Sequence, residues 1–131
     1  MKIEFLVMKP IFWFIPSLLV FTSILLFSTF LSLSIQIEGV SYTDKLSHMF
    51  AYFTLILTLL FAYHKNGMLQ GTNWLLLILA CSTYGVVLEF IQYSLFPNRY
   101  FEWLDVLANV SGALIGSFTF RLFRNVKKEQ T

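Results

Sequence analysis

Residues 74–95 read WLLLILACSTYGVVLEFIQYSL, a stretch in which Glu89 alone carries a formal charge. A helix that crosses hydrocarbon needs ~20 mostly apolar residues, and this segment supplies them with a single acid close to its far end. Working outward, the same composition recurs. No residue between Lys9 and Glu38 is charged, and between Lys45 and His64 only His48 interrupts the uncharged run. The spans expected are therefore 11–34, 46–63, 74–95 and 103–123. The last has the shortest uncharged core, Val106 to Phe120. It reaches across only if Asp105 is sheltered and Arg121 and Arg124 extend outward along their apolar stems. Apolar residues make up 57% of the 131, charged residues 12%, and the mean hydropathy is +0.73, too little polar surface for a soluble domain of this size. The fold class that follows is all-α: one domain over 1–131, a four-helix transmembrane bundle.

The first span follows Lys2 and Lys9, as a signal sequence would, but it is too long and no small-x-small cleavage pattern follows it. The single cysteine, Cys81, excludes an intramolecular disulfide and reads as packing in mid-span. Orientation comes from the basic residues at the span ends. Lys2, Lys9, Lys65, Arg121, Arg124, Lys127 and Lys128 gather on one side, whereas the other has only Lys45 and Arg99. Both termini are thus expected to be cytoplasmic, with loops 35–45 and 96–102 facing out. Lys127 and Lys128 suit contact with anionic membrane lipid, and the net charge of +2 gives no reason to expect nucleic acid.

Local signals sharpen the boundaries. Pro16 marks a kink or the early turns of the first helix. His64-Lys65-Asn66-Gly67 reads as a helix end. Ser41 or Thr43 is expected to cap the second span and Thr72 or Asn73 the third. Trp74 is expected at the cytoplasmic interface. Pro97-Asn98 ends the third span, and Tyr100, Phe101 and Trp103 suit the outer headgroup belt. Ala108, Gly112 and Gly116, four apart, let another helix approach closely. The partner expected is a helix of the same chain, with a homo-oligomer through Gly112 and Gly116 as the other option.

Polar residues inside membranes usually face the bundle interior or a water-filled cavity. Asp44, His48 and Tyr52 share one helical face at i, i+4, i+8; Glu89 and Gln92 share another; Asp105 and Asn109 repeat the spacing, with Glu102 a turn earlier. At ~1.5 Å per residue, Glu89 lies roughly 6–9 Å below the end of its span, and His48 and Asn109 fall at a similar depth. Three helices thus offer polar groups at one level, which predicts a pocket. His48 could act as a general base oriented by Asp44, with Glu89 as a further proton-handling candidate. Lys45 and Arg99 could grip phosphate or carboxylate, Arg in bidentate fashion, while Tyr52, Gln92, Asp105 and Asn109 would orient the ligand. Glu89 is expected to be neutral or paired with Arg99 or Lys45. Asp44, His48, Glu89 and Asp105 are side chains of the kind that hold a divalent ion, but no tight ligand spacing joins them. Accordingly no metal and no cofactor is expected. The bland alternative is that these groups only fix the register of the bundle.

Three blocks carry a resemblance. Asp44-Lys45-x-x-His48-Met49-x-x-Tyr52, then Glu89-x-x-Gln92, then Arg99 with Asp105-x-x-Ala108-Asn109-x-x-Gly112 are similar, in order, to the D-K-x-x-H-F/M-x-x-Y, E-x-x-Q and R-x(5)-D-x-x-A-N-x-x-G patterns of the VanZ-like family. The resemblance is strongest over 40–120. It implies a small multi-pass protein of the bacterial cytoplasmic membrane, in a family whose named member is tied to teicoplanin resistance. The function expected is binding or modification of an envelope component, either a lipid-linked precursor or a lipoglycopeptide. The alternatives are an integral-membrane enzyme working through Asp44, His48 and Glu89, and a purely structural bundle.

Overall fold

The computed structural model describes residues 10–30, 41–97 and 99–129. Lys2, Lys9, the stretch 31–40 and Asn98, together with the side chains of Ser41, Lys127 and Lys128, lie outside the described residues. A 3-10 turn, Pro10–Phe14, leads into α1 (Ile15–Phe30). Then come α2 (Ser41–Lys65), α3 (Gly71–Leu95) and α4 (Trp103–Glu129). All four are long and apolar enough to span, as Pro10–Phe30, Tyr42–Lys65, Gly71–Leu95 and Trp103–Val126. The fold is all-α, a four-helix transmembrane bundle.

Pro16 stands in the first turn of α1, where its missing N–H costs no helical hydrogen bond. The end of α2 is set by Gly67, whose φ of 66° is the left-handed conformation that glycine adopts freely. Around it Met68 N donates to Tyr63 O at 2.9 Å and Gly67 N to His64 O at 3.1 Å, closing the helix as a Schellman motif. The short link that follows reverses the chain. Thr72 and Asn73 do not cap α3. Its N-cap is Gln70, without a side-chain cap bond, and Asn73 instead donates Nδ2 to Met68 O at 2.7 Å. Similarly, α2 already begins at Ser41, so Thr43 falls inside its first turn.

Contacts along the helices give the topology. Tyr84 Oη donates to Phe21 O and Gln92 Nε2 to Ser28 O, each at 2.9 Å, so α1 and α3 run in parallel. The α2 and α4 helices also run in parallel and meet most closely. A Cβ on Gly112 would stand 2.1 Å from Met49 O, and one on Gly116 would stand 2.8 Å from Phe53 O. Two glycines four apart therefore let the α4 backbone lie on that of α2, as small-xxx-small packing requires. The glycine face is occupied by a helix of the same chain.

Between the helices lie Tyr52, Leu55, Ile56, Leu60, Leu77, Cys81 and Ala113. Outside, Leu18, Leu19, Phe27, Leu76, Phe90, Leu107 and Phe118 are exposed, an apolar surface that hydrocarbon accommodates and water does not. Trp74 stands in the first turn of α3, half-buried, and its Nε1–H donates to Ser117 Oγ on α4.

Candidate functional site

The first turn of α2, the last turns of α3 and the first turn of α4 stand at one end of the bundle. Glu102 caps α4, its carbonyl accepting from Val106 N at 3.3 Å. Asp44 and Asp105 occupy the first turns of α2 and α4, where the unpaired N–H groups of a helix start favour a negative charge. The carboxylate of Glu89 reaches across from α3, and its Oε2 accepts the Glu102 N–H at 3.4 Å. The helix starts thus account for why acids gather here. They do not account for how deeply those acids are set.

Asp105 and Glu89 are 0% and 2% exposed, Gln92 1%, Asn109 2% and Tyr52 1%. Lys45 is the hub. Its ammonium contacts Asp105 Oδ1 and Glu102 Oε2 and stands 3.5 Å from Asp44 Oδ2. Glu89, expected to be neutral or paired with Arg99 or Lys45, is not one of these. Lys45 is therefore shared among three carboxylates, and a bound anion would have to compete with them for it. Arg99, half-buried in the link between α3 and α4, forms no ion pair among the described residues, and its backbone N–H donates to Phe96 O at 3.2 Å.

His48 is held differently from the expectation. Asp44 Oδ1 is 3.8 Å from Nε2, too far for a hydrogen bond. The orienting group is Asn109, whose Oδ1 lies 3.1 Å from His48 Nδ1. An amide oxygen only accepts, so Nδ1 carries the proton and a neutral ring leaves its lone pair on Nε2. That nitrogen faces two carboxylates, Asp44 Oδ1 and Asp105 Oδ2, the latter 3.9 Å away.

Of the residues singled out from the sequence, Asp44, Lys45, His48, Asp105 and Asn109 are joined at this end by a chain of contacts, with Asn109 entering it through His48. Tyr52 lies deeper, its ring 6.1 Å from that of Tyr84, and Gln92 is tied to α1 through Ser28. Two contributors escaped the sequence reading. Glu102, noted only as one turn ahead of Asp105, is a principal partner of Lys45. Gly85 is the other: a Cβ there would stand 2.8 Å from Asn109 Nδ2, so the bare backbone of α3 seats that amide. A glycine within an apolar span was its only signal.

Tyr52 Oη, Glu89 Oε1, Gln92 Oε1 and Asp105 Oδ2 are buried without a hydrogen-bond partner among the described residues. Buried polar atoms are ordinarily satisfied, because leaving one bare costs about 1–3 kcal/mol. With the two carboxyls ionised, three of these four accept only, and the place then calls for donors or positive charge. Comparison with protein-family models, with curated proteins and with solved structures returned no match for this chain.

Proposed function

We propose that this chain is a VanZ-like multi-pass protein of the bacterial cytoplasmic membrane whose polar end faces outward and binds the charged headgroup of an envelope component, lipid-linked or lipoglycopeptide in kind. In this arrangement the helix ends near Pro10 and Glu129 are cytosolic, as the basic residues favour. The observation that carries the proposal is convergence: residues from all three blocks of the resemblance meet at one level and one end, most of them buried. Register alone would be served by one or two interhelical hydrogen bonds. Arg99 acts on Glu89 at a distance but forms no ion pair among the described residues, and is the group to take a phosphate or carboxylate oxygen. The exposed rings of Tyr100 and Trp103 set this end among the lipid headgroups. Contribution to glycopeptide resistance, through a teicoplanin-like ligand or its lipid-linked target, follows from the resemblance and is part of the proposal.

A catalytic version of the same site rests on His48. With Nδ1 committed to Asn109, Nε2 is a base available to a substrate hydroxyl or water. One set of experiments separates the readings. Purified protein in nanodiscs is titrated with a polyprenyl diphosphate, and the recovered lipid is analysed. Saturable binding that Arg99→Ala weakens tenfold or more, with the lipid returned unchanged, is the expected result; cleaved or transferred headgroup would establish the enzyme. If His48→Ala, Glu89→Gln and Asp105→Asn each keep normal membrane abundance and normal binding, the ligand site is rejected.

A further inference from the structure

The three side chains that meet at the polar end are each held by one atom and leave another unused. Asp105 gives Oδ1 to Lys45 and leaves Oδ2; Asp44 has Oδ2 toward Lys45, 3.5 Å away, and leaves Oδ1; His48 gives Nδ1–H to Asn109 and leaves Nε2. The three unused atoms face one another. Nε2 stands 3.8 Å from Asp44 Oδ1 and 3.9 Å from Asp105 Oδ2, and one ligand atom from each of the three residues lies within 4.8 Å of the other two. In the neutral ring these are lone pairs facing lone pairs, which repel, and the separations are beyond hydrogen-bond length. A small cation between them turns the repulsion into ligation.

From this geometry we propose that Asp44, His48 and Asp105 bind one divalent transition-metal cation of the Zn2+ or Mn2+ class, which presents open positions to an oxygen of an anionic headgroup. Four observations support it besides the facing atoms. Asp105 is fully buried, and its Oδ2 is unpartnered and aimed at the centre, a cost that a ligated ion removes. Three carboxylates, Asp44, Glu102 and Asp105, share the single charge of Lys45. The cluster thus offers more carboxylate oxygens than one ammonium can meet, and a dication would take the surplus. The outer contacts have the form that metal sites use, an imidazole donating its second nitrogen and a carboxylate fixed through its second oxygen. Finally, Asp44 is 47% exposed and supplies an entry path and a movable ligand. Metal–ligand bonds of ~2.0–2.2 Å put neighbouring ligands ~3.4 Å apart at a tetrahedral angle. From the present spacings, His48 and Asp105 must close by about half an ångström and the widest pair by up to about 1.4 Å, most of which the exposed Asp44 side chain can supply by rotation. One nitrogen with two carboxylate oxygens suits Zn2+ or Mn2+ better than Ca2+ or Mg2+, which take oxygen ligands throughout.

The inference deepens the proposed headgroup site and rests on it for the identity of the ligand. It also explains how so acidic a place could take an anion: the ion, with Arg99, would meet the phosphate. The experiment uses the full chain in nanodiscs, stripped with chelator and dialysed against Zn2+ or Mn2+. Expected is about one tightly bound ion per chain, lost at least tenfold in affinity in Asp44→Asn, whose exposed position spares the fold, and in His48→Gln. Mn2+ bound at the site should give a spectrum with nitrogen coupling, which His48→Gln removes. Absence of saturable binding by both ions, or binding unchanged in both variants, overturns the inference. Polyprenyl diphosphate binding is then measured with ion and with chelator. Binding only with the ion upholds both ideas. Ion bound without lipid upholds the metal site and fells the headgroup reading, whereas equal lipid binding in chelator with no ion taken up does the reverse.

Discussion

The two ends of the bundle house their basic side chains in opposite ways. At the Gly67 end, Lys65 lies over the rings of Trp13 and Phe61, its Nζ 5.2 and 5.4 Å from their centroids, and the Arg124 guanidinium lies 5.3 Å over Trp74. Aromatic faces hold a cation weakly, and Lys65 stays exposed. That is sufficient for anchoring at a membrane boundary. At the other end Lys45 is bound by three carboxylates and Asp105 is sealed from solvent. Such groups demand further charge or donors, which points to a ligand. Both ends have tryptophan, tyrosine and lysine; the difference is whether the cation is met by π-electrons or by anions.

Four substitutions break or sharpen this contrast. The largest effect is expected for Lys45→Met, which strands three carboxylates, the buried Asp105 among them, and should cost about 3–5 kcal/mol, read as a lower midpoint in detergent unfolding. Adding Asp105→Asn should restore part of that loss, and no restoration would dissolve the hub. Next, Gly112→Ala sets a methyl against Met49 O and should cost about 1–3 kcal/mol through forced separation of α2 and α4, together with loss of the Lys45–Asp105 contact as judged by crosslinking between the two helices. Trp74→Phe removes the indole donor to Ser117 at about 1 kcal/mol, without touching the polar end. Smallest is Lys65→Met, expected under about 1 kcal/mol by the same assay. A larger loss there than for Lys45→Met would reverse the comparison.

The spans were legible because hydropathy acts over a whole helix. Residues 74–95 contain one charge, and α3 covers Gly71–Leu95. The depth coincidence of His48, Glu89 and Asn109 was legible too, since a rise per residue is common to all helices. Pairing was not. Spacing along one helix indicates which residues share a face, but the partner across the gap depends on how helices rotate. Lys45 therefore chose Glu102 and Asp105 over Glu89, and Asn109 took the imidazole that Asp44 was expected to steer. The start of α3 escaped for a different reason. Gln70 begins the helix by backbone geometry alone, while Asn73 bonds back to Met68. Side chains that favour caps also favour such local turns.

Gly85 has one more consequence. It has no charge, no hydroxyl and no place in the three blocks, yet α3 meets Asn109 there without a side chain between them. A single methyl at 85 would leave every acid, base and amide in place while levering the amide off the ring nitrogen. The proton could then migrate to the opposite edge of the imidazole, turning an acceptor into a donor. A screen confined to polar positions would pass over the one site where the tautomer is set by the absence of a carbon.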